Sequence, residues 1–428
     1  MVKKMNFRLL NTKKSIFIAL SLGIIIFLNS LALYDPYYQT AHAQPSIKDD
    51  SLSVEPIVEG LSSPTSIIFV DDNDILVLEK DGLVRHVRHV VDGVLQEQPV
   101  LQIPVSTENE RGLLGIANSN STNSANPITS NIFLYYTEGD PLRNRIYNYE
   151  WNGETLTNPT LILDLPAEPG PNHDGGKIVI GPDGYLYAVI GDLNHDGQLQ
   201  NFPNGPPPDD TGSIFRINPE DRSAAPNNPF TGSEGDVLSK YYAYGIRNSF
   251  GLDFDPLTGN LWDTENGPAS FDEINLVRPG FNSGWQTVMG PISLSGNTED
   301  DLVNFPGSQY ADPKFSWADS VAPTDIEFFN SSNLGARYTN NIFVGDITNG
   351  NLYFFEVNEK RDGIGFDTTQ QQSGLSDFVV DNAVELSAIT FGSGFGGITD
   401  IETGPDGSLY ILSYDEGIIY KISSIPAQ

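Results

Sequence analysis

The chain has 428 residues, 39% of them hydrophobic, with 41 glycines, 29 prolines and no cysteine. Without cysteine there is no disulfide, no thiolate metal ligand and no cysteine nucleophile. The 56 acidic residues against 23 basic ones leave a formal net charge of -33, which argues against nucleic acid as a partner and reads most simply as a well-solvated acidic surface.

Residues 1–43 have the form of an export leader. Lys3, Lys4, Arg8, Lys13 and Lys14 precede an apolar run from Ser15 to Leu33, and Ala41-His42-Ala43 offers a small-residue cleavage site. The same run is near the length that spans a bilayer, so an uncleaved N-terminal anchor is the alternative reading. Both place residues 44–428 outside the cytoplasm, as a secreted or membrane-tethered domain.

Beyond the leader no segment keeps the 3.6-residue period of a long helix. Instead one unit recurs: a β-rich strand, a turn containing Gly, and a second strand. Ser51 to Gly60 reads as a lead-in or closing strand. The first unit runs from Ile67 to Val87 with a turn at Asp81-Gly82, and the second from Leu113 to Tyr149. The third is the cleanest, with Lys177 to Ile180, the turn Gly181-Pro182-Asp183-Gly184, Tyr185 to Ile190, and Gly212 to Ile217. The fourth spans Gly251 to Val277 and the fifth Thr324 to Phe355. The sixth, Ile398 to Ile422, repeats the third with its own Gly404-Pro405-Asp406-Gly407 turn. Pro presets the turn's φ and Gly accepts a positive one. A small sheet with two apolar faces must be covered by neighbours, and closing the ring removes the exposed ends. The expected fold is all-β: one domain, a six-bladed β-propeller of four-stranded antiparallel blades. A β-sandwich is the structural alternative, but it leaves the recurrence unexplained.

Ligands of propellers meet loops from several blades at one end of the ring. Three polar, Gly-rich loops draw attention. Pro169 to Gly176 carries His173, and Asp192 follows one hairpin later; a carboxylate there can hold the imidazole in one tautomer and raise its basicity. His195 competes for that role, while His86 and His89 receive none. Tyr244 to Gly251 carries Arg247 and Asn248, a cation and an amide able to clamp an oxyanion. Glu265-Asn266-Gly267-Pro268, Asp272-Glu273 and the stretch around Ser283 gather the hard oxygens that Ca2+ prefers. Each of the three also has a plain structural reading as a hydrogen-bonded loop.

Taken together, Glu110-Arg111-Gly112-Leu113-Leu114-Gly115, the His173 and Gly181 to Gly184 stretch, Arg247-Asn248, the block Glu265 to Trp285 and the last unit resemble the soluble quinone-dependent sugar dehydrogenases, the glucose/sorbosone dehydrogenase family. The resemblance implies oxidation of a sugar at its C1 hydroxyl, with pyrroloquinoline quinone and Ca2+ as cofactors and an external electron acceptor. It implies His173 as general base, Asp192 as its orienter and Arg247 beside them. Arg247, Asn248, Gly267, Pro268 and Thr348 would contact the cofactor, with Gly267 and Pro268 offering backbone oxygens to its calcium. Asp272, Glu273 and Ser283 would sit where the family places further calcium. The chain also departs from the pattern: the family's fifth-blade Lys is Thr348, its paired Arg before the last turn are replaced around Ile398 to Asp400, and a Gln becomes Glu110. Each lost charge-assisted bond is worth roughly 1.5 to 3 kcal/mol, so other cations must substitute, and Lys177 and Arg111 are the candidates. Two other classes fit the same loops: a propeller that binds a glycan or protein without redox chemistry, and a calcium-dependent hydrolase, for which no nucleophile is visible.

Overall fold

The computed structural model describes residues 44–90, 93–119, 130–230 and 237–426. The leader and its cleavage site lie outside them. From Gln44 onward the chain is one compact unit, and its described strands fall into six sheets.

The third unit shows why the sequence folds this way. Ile178–Ile180 pairs antiparallel with Leu186–Ile190, Ile178 opposite Ala188 and Ile180 opposite Leu186. The Pro-Asp-Gly turn joins them: the Gly181 N–H donates to the Tyr185 carbonyl and the Gly184 N–H to that of Gly181, both at 2.9 Å, and Gly184 has φ +80. Leu186–Ile190 is buried on both faces. Leu186, Ala188 and Ile190 pack with Phe133 and Tyr135 of the preceding sheet, whereas Tyr187 and Val189 pack with Leu252 and Leu261 of the following one. A strand apolar at every position is therefore stable only between two sheets, where each large aliphatic side chain gains about 1.5–3 kcal/mol over exposure.

The opening strands of the sheets are Pro64–Phe69, Leu113–Ser119, Ile178–Ile180, Ser249–Phe254, Pro323–Phe329 and Ile398–Thr403. Each packs against the next, and the last packs against the first, which is the arrangement of an all-β propeller. Carboxylates tie neighbours across the seams. Asp253 accepts from the Phe328 N–H at 2.7 Å, Asp325 from the Ile401 N–H at 2.8 Å, and Asp400 from the Ile67 N–H at 2.6 Å. Leu52–Val58 closes the ring by pairing antiparallel with Ile418–Ser424, so the lead-in segment is the outer strand of the last sheet.

The expectation of four-stranded sheets is corrected. Two sheets have four strands, two have five and two have six. The additions sit on outer edges, where loops between units contribute short strands: Phe281–Asn282 and Gln309–Tyr310 extend the third sheet in parallel, and Val379–Val380 extends the fourth. Among the described residues helix is confined to short segments, the longest being Ala383–Ile389.

Candidate functional site

A cavity of about 410 Å³ opens where the six opening strands begin. Its wall takes Ser66 from the first, Leu114 from the second, Lys177 from the approach to the third, Asn248 from the approach to the fourth, Thr324 from the fifth and Asp400 from the sixth. Parallel opening strands around one axis bring residues that are hundreds of positions apart to a single mouth.

His173 lies on this wall, with its Nδ1 2.5 Å from Asp192 Oδ1. Nε2 is the ring nitrogen that remains for a ligand. The residue has φ +66, a region that costs a side-chain-bearing residue about 1–3 kcal/mol and recurs where function demands it. Its conformation is held by its own N–H donating to Glu110 Oε2 at 2.6 Å, and Glu110 also accepts from Asn248 Nδ2 at 3.1 Å. Asp192 stands behind the histidine, buried and off the wall. Its Oδ1 accepts in addition from the Asn194 N–H at 2.7 Å, and its Oδ2 from Trp285 Nε1 at 2.7 Å.

Arg247 is placed by its N–H on Glu265 Oε1 at 2.7 Å and by Nη1 on the Asn266 carbonyl at 2.8 Å. Its guanidinium carbon lies 5.2 Å from the Trp285 ring centre, and burial lowers its pKa against the pull of Asp192 and Glu265. Three buried polar atoms of this wall have no protein partner: Arg247 Nε, Asn248 Oδ1 and Asn266 Oδ1. Buried polar groups of this kind call for a ligand or water.

Opposite, Lys177 Nζ lies 2.6 Å from Asp400 Oδ1 and 2.8 Å from Asp325 Oδ1. Burial works against its charge, but Asp325, Asp400 and Glu402 together outweigh that and hold its pKa well above the usual lysine range. Asp400 Oδ2 accepts from Ser66 Oγ at 2.8 Å. Lys80 completes the wall's cations, and its ammonium donates to the Asn109 carbonyl.

A model of the Glucose / Sorbosone dehydrogenase family matches residues 61–421. The chain belongs to this family. Among its curated relatives, the aldose sugar dehydrogenase YliI of Escherichia coli is 26% identical over 382 residues, covering 87% of this chain and 93% of that protein. The quinoprotein glucose dehydrogenase B of Acinetobacter calcoaceticus is 31% identical over 271 residues, 58% of this chain and 55% of that protein. The crystal structure of the soluble aldose sugar dehydrogenase of E. coli, in its apo form, shares the fold at a TM-score of 0.68 and 24% identity, over 87% of this chain and all of that one.

Against the residues that the glucose/sorbosone dehydrogenase family would use, the structure brings His173, Arg247, Asn248 and Gly267 to the cavity wall, with Asp192 directly behind. Pro268 and Thr348 are exposed and off the wall. Asp346 Oδ1 accepts from the N–H groups of Asn349 and Gly350 at 2.5 and 2.9 Å. The resulting tight turn leaves Thr348 outside and presents Ile347 to the cavity. Arg111 is buried away from the cavity, bound to the Ala167 carbonyl at 2.5 Å and to Glu108 at 3.2 Å. His195 pairs with Asp209 at 3.0 Å, off the wall.

Among the described residues no group of three or more His, Cys, Asp or Glu side chains is set to hold a metal ion. Asp272 is occupied by backbone donors, accepting from Gly267, Val321 and Ala322 N–H groups. Glu273 accepts from Gly290 N–H and Asn275 Nδ2, and Ser283 Oγ donates to Glu265 Oε2 at 2.6 Å. Sequence reasoning passed over three residues here. Glu110 was visible only as a departure from the family motif, Trp285 only as the end of a motif, and Asp263 carried no signal, although its carboxylate is wholly buried beside Glu265 and Asn275.

Proposed function

We propose that this member of the family is an exported sugar dehydrogenase, a six-bladed propeller that removes hydride from the C1 position of an aldose with pyrroloquinoline quinone and Ca2+ as cofactors. The observation that carries the reading is the His173–Asp192 pair, with Nδ1 bound behind and Nε2 left to the cavity. Sugar as substrate and quinone as cofactor are carried over from the aldose sugar dehydrogenase and the quinoprotein named above.

The wall suits a quinone tricarboxylate in the company of its divalent cation. Three carboxylates against one divalent ion leave a single negative charge. The lining offers Lys80, Lys177 and Arg247 against Glu110 and Asp400, one positive charge in surplus. Arg247 Nε is an unfilled donor for an anionic or carbonyl oxygen, Asn248 Oδ1 an unfilled acceptor, and Asn266 Oδ1 beside Gly267 supports the calcium side. The volume lies within the range of cofactor pockets. Bound there, the quinone supplies the hydride acceptor. His173 Nε2 takes the hydroxyl proton, Asp192 keeps the proton on Nδ1 and offsets the positive charge that the ring acquires, and Arg247 polarises the oxygen it meets. The leader sends the protein across the membrane, and electrons pass to an external acceptor.

A binding propeller without redox chemistry is the second reading. It draws support from one contact set, the clamping of Lys177 by Asp325 and Asp400, which reduces the positive charge available to an anionic cofactor. The purified protein, reconstituted with quinone and Ca2+ and offered a panel of aldoses with an artificial acceptor, is expected to turn over. His173→Ala should lower kcat by about 10²–10⁴-fold, the usual contribution of a general base. No quinone-dependent turnover, with sugar binding retained in calorimetry, favours the binding propeller.

A further inference from the structure

We infer that Trp285 is a positioning residue for His173, acting through Asp192, and that its indole N–H sets the orientation of the base. The inference rests on His173 being the group that takes the substrate proton.

Asp192 has two carboxylate oxygens with different duties. Oδ1 meets His173 Nδ1 at 2.5 Å and the Asn194 N–H at 2.7 Å; Oδ2 meets only Trp285 Nε1, at 2.7 Å. A donor on each oxygen fixes the plane of the carboxylate and therefore the direction in which Oδ1 faces the imidazole. The Asp192 backbone is pinned as well, its N–H donating to the Arg247 carbonyl at 2.8 Å. Rotation about the side chain is the motion left, and the indole N–H opposes it. Asp192 and Trp285 are both buried and both off the cavity wall, so neither touches a ligand directly.

Pairing of an indole N–H is not automatic in this molecule. Trp262 and Trp317 are wholly buried, and both leave Nε1 without a partner. Trp285 differs in aiming its N–H at an ionised oxygen, a charge-assisted bond about twice as strong as a neutral one. The same ring carries the Arg247 guanidinium on its face at 5.2 Å, a contact worth roughly 0.5–2 kcal/mol. One side chain thus sets both the base's support and the cation beside it.

A simple packing role predicts that shape alone matters. Replacing Trp285 by 3-benzothienylalanine keeps the ring, the volume and the Arg247 contact, and deletes only the N–H. The expected result is a fall in kcat of about 10–100-fold, the usual effect of removing a group that orients a catalytic side chain, with KM unchanged. The far-downfield proton resonance of the His173 imidazole in the cofactor-free protein should also move upfield or vanish by exchange. Trp285→Phe should reproduce both changes. A His173 resonance at its original place in the benzothienyl variant overturns the inference whatever the turnover. Absence of turnover in the unaltered protein, by contrast, overturns the sugar dehydrogenase reading and leaves the resonance test standing.

Discussion

Two buried groups of carboxylates in this propeller meet opposite fates. Directly behind the cavity wall a single aspartate, Asp192, has three donors besides its backbone contacts, and each oxygen is directed at a named partner. Along the opening strands, Asp325, Asp400 and Glu402 gather around one ammonium, that of Lys177, with Asp253 and Glu327 crowded beside them. Their backbone donors come from the next strand of the ring, as with the Thr403 N–H on Glu327 at 3.0 Å. Charge is short, however. Burial pushes Asp253 up to about 6 and Glu402 up to about 8, both half-buried by surface yet deep among other acids. Asp325 and Glu327 are raised well above the usual range, again chiefly by burial. Full pairing makes a carboxylate an orienting device; crowding without cations makes it a proton reservoir that also ties strands together.

Removing the one cation should break the contrast most severely. Lys177→Met leaves Asp325 and Asp400 buried without their ammonium, and loss of one partner of a buried ion pair costs about 3–5 kcal/mol. Denaturant unfolding at pH 8 should show that loss. At lower pH, where Asp325, its pKa raised by burial, takes up a proton more readily and needs less counter-charge, the loss should be smaller.

The unaltered protein should reveal the same surplus as a function of pH. In the unfolded chain these acids titrate near 4, whereas in the folded one Asp253 and Glu402 titrate near 6 and 8. Between those values the native state keeps protons that the unfolded state has released, so these groups' contribution falls as pH rises from about 4 to 8. Thermal unfolding at constant ionic strength should show a higher Tm at pH 5 than at pH 8, and the reverse order would refute the assignment.

The smallest change sharpens the contrast at a third place. Asp263 sits beside Glu265 and Glu273, and burial followed by repulsion from Glu265 raises its pKa well above the normal range. With a chelator present, Asp263→Asn should stabilise the fold by about 1 kcal/mol, since it removes a buried carboxylate that Glu265 repels. Wild-type protein that is already the more stable of the two under chelation would show that the site is satisfied in another way.

The recurrence of strand, Pro-Asp-Gly turn and strand was legible because it is local: the turn chemistry and the apolar period lie within a dozen residues. His173, Asp192, Arg247 and Asn248 were legible for a related reason, since each lies in a polar, Gly-rich loop at a strand end. Thr348 failed because the three-residue turn set by Asp346 decides which neighbour faces inward, and Ile347 does. Arg111 failed because its partners, Glu108 and the Ala167 carbonyl, draw it away from the mouth.

Sequence alone determined that this chain is a ring of β units with a histidine and its carboxylate on one loop system, because strand periodicity and turn residues act over short distances. Only the tertiary structure decided which charges share a space: that Lys177 lies between Asp325 and Asp400, that Glu110 holds both His173 and Asn248, and that Trp285 reaches Asp192 from 93 positions away. Contacts across a closed ring join residues without regard to their separation along the chain, and the electrostatics of a buried site depends on those contacts.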